Sequence, residues 1–122
     1  MGIRDYLSNH AETNETHPFR SLRTRYYKHS SKEVLDLLET YFEKSKDANV
    51  KTRDDEHGEL FAEGSRFHII VSVHSFTPRE TSVDFKVQTY RLYGAHRPKK
   101  IIRTIYAYLD NNLTLKGVAL HP

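Results

Sequence analysis

Cysteine is absent from the 122 residues, which excludes disulfides, thiolate metal sites and cysteine nucleophiles. Long apolar runs are absent as well. Nothing approaches the ~20 residues needed to cross a bilayer, and the opening Met1-Gly2-Ile3-Arg4-Asp5-Tyr6 lacks the apolar centre of a signal peptide. Tyr6 stands where N-myristoylation requires Ser or Thr, so no lipid anchor is expected. No membrane partner and a cytoplasmic location are the expectations, and the Asn14-Glu15-Thr16 sequon then has no consequence. Glycine is sparse and scattered, at positions 2, 58, 64, 94 and 117, so no phosphate-cradling loop exists. There is no Gly-x-Ser-x-Gly nucleophile elbow either. No catalytic residue and no cofactor is therefore assigned.

What is present suits one hydrophobic core. Hydrophobic residues make up 37% and charged residues 29%, enough apolar surface to offset the entropy lost on ordering a single domain. Residues 1–19 mix charges, Asn, Thr and His without periodicity and read as a loose arm, with a short helical turn near Asp5-Tyr6-Leu7. From Ser21 to Lys28, Leu22, Thr24 and Tyr26 alternate with Arg23, Arg25 and Tyr27, the pattern of a half-buried strand with one apolar and one cationic face. Ser30-Ser31-Lys32-Glu33 matches a capping box and opens a helix. Its stripe of Val34, Leu37, Leu38 and Tyr41 runs to about Lys44.

Four strands are expected next, at 50–53, 59–63, 66–76 and 82–93. The Asp54 to Gly58 turn and the Thr77-Pro78-Arg79-Glu80 turn join them in pairs. A second helix starts near Pro98 and runs to about Asn112 on Ile101, Ile102, Ile105, Tyr106 and Leu109. The tail 114–122 is expected to dock without forming an element. The fold class is α+β: strand, helix, four-stranded antiparallel meander, helix, within 20–113, with both helices on one face of the sheet. That leaves an outer face carrying His68, Ile70, His74, Phe76 and Tyr90.

Eight histidines raise the question of a metal. His68 and His74 share a strand face, yet six residues at about 3.3 Å each put them roughly 20 Å apart. No helical H-x-x-x-H or facial triad exists, so no metal site is assigned. A small enzyme or ligand-binding protein using His68 and His74 with a carboxylate such as Asp84 remains an alternative, and so does a structural homodimer through the sheet.

Charge carries the sharper signal. The net charge of +3 and pI near 9.1 are modest, but Arg91, Arg97, Lys99, Lys100 and Arg103 fall within thirteen residues without an acid. Four of them lie at or just before the first turn of the second helix, where cations oppose the macrodipole. A second group, Arg20, Arg23, Arg25 and Lys28, neighbours Tyr26 and Tyr27. Convergence of the two would build a basic surface from Arg23, Arg25, Arg97, Lys99, Lys100 and Arg103. Its partners would be an acidic protein surface or nucleic acid. A solvated surface whose arginines bond local carboxylates is the plainer reading.

Leu22-Arg23-Thr24-Arg25-Tyr26-Tyr27, Ser30 to Val34, Glu59-Leu60-Phe61-Ala62 and Lys100 to Tyr106 follow one another in an order that resembles small uncharacterised bacterial cytosolic proteins. These are related to a broader domain-of-unknown-function family with a strand, a helix, a meander and a closing helix. The resemblance covers about 17–113. It implies the fold and the compartment, and it brings no catalytic residues. The expected function is a non-enzymatic binding or interaction module with a basic surface, as a monomer or a homodimer.

Overall fold

The computed structural model describes residues 9–90 and 96–122. The helical turn expected at Asp5-Tyr6-Leu7, the end of the strand expected to reach Tyr93, and Arg91 lie outside the described residues. Along the chain run β1 (His10–Glu12), a 3-10 turn at Arg20–Leu22, β2 (Arg25–Tyr27), α1 (Ser31–Ser45), β3 (Asn49–Asp54), β4 (Glu59–Glu63), β5 (Phe67–Thr77), β6 (Glu80–Thr89), α2 (His96–Asn112) and β7 (Leu115–Val118). The fold is α+β, with every strand pairing antiparallel.

Local chemistry sets the elements. The Ser30 hydroxyl accepts from the Glu33 amide at 3.2 Å, and the Glu33 carboxylate accepts from the Ser30 amide at 3.1 Å, so the capping box starts α1 as expected. α1 stops at Lys46, which adopts the left-handed conformation at φ 60°. Gly58 turns β3 into β4 at φ 68°, and a Cβ there would meet the Val73 carbonyl at 2.2 Å.

The sheet order is β3-β4-β5-β6-β2-β7. β1 also pairs with β6, on residues 86–88, while β2 occupies 81–83. Because β5 holds the other edge of β6, β1 and β2 lie end to end along one edge. The Asp84 carboxylate sits at the break and accepts from the Thr13 hydroxyl at 2.5 Å and the Thr24 hydroxyl at 2.7 Å. The sheet therefore extends beyond 20–113: part of the expected loose arm and part of the expected tail are strands, each satisfying backbone groups of a neighbour that would otherwise be an open edge.

Leu60, Ala62, Ile69, Val71, Val73, Val83, Phe85 and Val87 form one face of the sheet and join Leu35, Leu38 and Phe42 of α1 and Ile102, Ile105 and Leu109 of α2 in a single core. The Tyr41 and Tyr108 rings meet at 5.0 Å, so the helices lie side by side on that face.

The segment from Ser21 to Lys28 departs from expectation in two ways. Its first part winds into the 3-10 turn, which shortens the strand to three residues. Its faces are also reversed. Arg25 and Tyr27 point at α2, while Tyr26 packs on the outer face against Phe76 and His121. A cation tolerates the inner face here because Asp110 of α2 pairs with it and the Tyr106 ring lies 4.5 Å from the guanidinium.

Candidate functional site

The short segment from His17 to Arg23 sits beside the N-terminal half of α2. Asn14 accepts the Thr24 amide through its carbonyl, and the Asn14 amide donates to the Leu22 carbonyl, so the loop is closed on itself and Leu22 is fully buried. Three cations gather on it. Arg23 donates from Nε to the His17 carbonyl at 2.7 Å. Lys99 Nζ lies 4.9 Å from the centroid of the Phe19 ring, a cation–π contact. Arg103 donates from Nε to the Ser21 hydroxyl at 2.9 Å. Lys99 and Arg103 are four residues apart on one helical face, which lets both reach the same loop.

His17 lies within reach of the charges of all three. Partial burial, then the charges of Lys99, Arg103 and Arg23, push its imidazole below the usual 6.5, against a smaller opposing effect of Glu12. The Phe19 amide donates to His17 Nδ1 at 3.0 Å, which also favours the neutral ring. Phe19 is 50% exposed and its ring stands 5.7 Å from that of His17. Among the described residues the carboxylates in ion pairs are engaged elsewhere: Asp110 with Arg25, Asp36 with Lys32 and Arg53, Glu80 with Lys116. The result is a ridge of three cations attached to one loop, with Lys99 over its exposed aromatic ring.

Of the six residues expected to form the basic surface, the structure therefore joins Arg23, Lys99 and Arg103. Arg25 does not belong to it: its side chain is 17% exposed, paired with Asp110 and covered by Tyr106. Arg97 and Lys100 do not belong to it either, because the helical turn aims them past the other flank of α2, into a cleft against α1. His17 and Phe19, which carry the ridge, fall within the stretch expected to be a loose arm. The run His17-Pro18-Phe19 placed before a basic strand was the available signal, since proline holds that run extended and out of the core.

The outer sheet face divides into two groups. His68 lies between the rings of Phe61 and Tyr90 at 5.7 Å each, and the Tyr90 hydroxyl is 3.3 Å from His68 Nδ1 and donates to Glu63 at 3.2 Å. His74 meets Phe76 edge-on at 4.6 Å, and His121 stacks on Phe76 at 4.8 Å. Ile70 lies between the groups, 36% exposed. Asp84 is bound by the two threonines rather than by either histidine. Among the described residues no group of three His, Asp or Glu side chains is placed to hold a metal ion. No described helix is long and apolar enough to cross a membrane. No family model, curated protein or solved structure matches the chain.

Proposed function

We propose that the chain is a non-enzymatic binding module that engages a polyanion through the ridge of Arg23, Lys99 and Arg103, with single-stranded nucleic acid as the favoured partner. The observation that carries the reading is the attachment of all three cations to the five-residue stretch 17–21 without a carboxylate among them. Like charges held together raise one another's free energy, and a bound polyanion reverses the sign of that term. Phe19 favours nucleic acid over an acidic protein: an exposed ring beside cations offers a face on which a base stacks while phosphates meet Arg23, Lys99 and Arg103.

Fluorescence titration of a labelled oligo-dT across a salt series tests this. Three phosphate contacts on a single strand predict a log–log salt slope of about −2. Replacing Lys99→Glu with Arg103→Glu is expected to weaken binding more than ~10-fold and flatten the slope, because two contacts are lost. Phe19→Ala is expected to cost ~1–3 kcal/mol toward the oligonucleotide and to leave a poly-Glu peptide unaffected. Absence of any affinity for either probe at low salt, or affinity indifferent to the double replacement, overturns the reading.

A further inference from the structure

Behind the ridge, on the opposite flank of α2, a cleft of about 870 Å³ opens between the end of α1, the β4–β5 turn and the first turns of α2. That volume lies within the range of sites that hold small molecules. Its described lining carries four cations, Lys46, Arg66, Arg97 and Lys100, and one carboxylate, Asp47. They come from three separate elements, so no single helix face accounts for them.

Three of these cations, at two places, sit where local physics disfavours them. Lys46 holds φ 60° at the C-terminus of α1, a left-handed conformation in which glycine is the less strained residue. Arg97 and Lys100 lie at the start of α2, whose first turn contains no acid to balance the positive end of the macrodipole. Departures from local preference persist where the surroundings use them. Here both departures open onto one cavity, and a single anion in it would answer both: it would pair with Lys46 and complement the start of α2 together with Lys100.

The rest of the lining points to more than a bare phosphate. Tyr41 and Tyr90 border the same cleft, as do the hydroxyls of Ser65 and Thr104. Tyr90 is 45% exposed just past the end of β6, where the cleft meets the outer sheet face. Tyrosines and hydroxyls bordering the same cleft as four cations suit a ligand with a ring at one end and phosphate at the other.

We propose that this cleft is a binding site for a small phosphorylated ring compound of the nucleotide class, independent of the polyanion ridge. The test is NMR titration of the full chain with ADP, using inorganic pyrophosphate and adenosine as partial ligands. Saturable shifts are expected at Ser65 and Thr104 with a dissociation constant below about 1 mM. Arg66→Glu with Lys100→Glu should weaken ADP at least ~10-fold, because two of the four cations become repulsive. Both positions are exposed, so the fold is retained, and thermal melting checks it. Lys99→Glu with Arg103→Glu should leave ADP affinity unchanged, which separates this site from the ridge whatever the ridge binds. The proposal is overturned by the absence of saturable shifts at millimolar ADP, or by ADP binding that follows the ridge variant. Pyrophosphate binding as tightly as ADP would refute the part played by the ring.

Discussion

Asp110→Ala is the substitution in which Arg25's assignment to the core, rather than to the anion-binding surface, can be measured. Asp110 accepts a 2.8 Å hydrogen bond from the Tyr27 hydroxyl through one carboxylate oxygen and pairs with Arg25 through the other. Tyr27 is completely buried, and burial together with Asp110 holds its phenol protonated well above the usual tyrosine range. Removing the carboxylate leaves that hydroxyl without its acceptor, at about 1–3 kcal/mol. It also leaves Arg25 unpaired. Breaking a fully buried pair costs about 3–5 kcal/mol, but the Arg25 and Asp110 side chains are 17% and 29% exposed, so solvent recovers part of it. The expected total is about 3 kcal/mol, which in a chain of this length lowers the melting temperature by about 10 °C.

Urea denaturation of wild type, Asp110→Ala, Arg25→Met and the double variant gives the coupling directly. A coupling of about 1–2 kcal/mol is expected, because the double variant no longer strands a charge. Asp110→Asn should fall between wild type and the alanine variant, since its amide oxygen still accepts from Tyr27. A destabilisation below about 0.5 kcal/mol for Asp110→Ala would refute the reasoning and return Arg25 to the list of solvent-facing cations.

Two further perturbations test the seams of the sheet. Burial, with Glu15 and Glu12 nearby, raises the Asp84 carboxyl above its usual 3.8 in spite of the two threonine donors; the folded state thus binds the proton more tightly than the unfolded chain, and wild-type stability falls as pH rises from 3.8 through the raised value. Asp84→Asn keeps an oxygen for Thr13 and Thr24 and should be the more stable protein by denaturation at pH 7, with the gap closing in acid; a wild type more stable at pH 7 contradicts this. Deleting residues 114–122 should cost several kcal/mol, because it removes the β7 ladder as well as the bonds from the Lys28 amide to Thr114 at 2.9 Å and from the Ala119 amide to Thr24 at 2.8 Å; amide exchange in β2 unchanged by the deletion would show the tail to be merely docked.

Features written in neighbouring residues were legible in the sequence. Ser30 and Glu33 specify the start of α1 within four residues, Gly58 and Pro78 mark turns, and the alternation from Phe67 to Val73 marks a strand with one face in the core. Features that depend on distant partners were not. Period two divides Arg23, Arg25 and Tyr27 from Leu22, Thr24 and Tyr26 without saying which set turns inward. The deciding residue, Asp110, lies 85 positions from Arg25. His10–Glu12 and Leu115–Val118 are too short and too polar to declare themselves as strands, and they form because β6 and β2 offer unpaired edges. Of the two cationic segments, Arg23 meets Lys99 and Arg103 at one loop, while helical geometry sends Lys100, adjacent to Lys99 in sequence, to the cleft on another flank of α2. Lys46, at the C-cap of α1, and Arg66, in the β4–β5 turn, carry no local sequence pattern that ties them to this flank of α2.

The division of the β6 edge between β1 and β2, with β7 closing the far side, has a consequence for the order of assembly. During synthesis the meander and α1 are complete while β2 still lacks its outer neighbour, since Arg25 is made long before Val118 pairs with it. Tyr26 meanwhile waits for His121, and Tyr27 for Asp110. Contacts of such long sequence separation form late because loop closure precedes any gain from pairing. A nascent chain halted before α2 would thus display a half-made sheet in which β2 has no partner on its outer side, and Leu115–Val118, made after α2, supplies it.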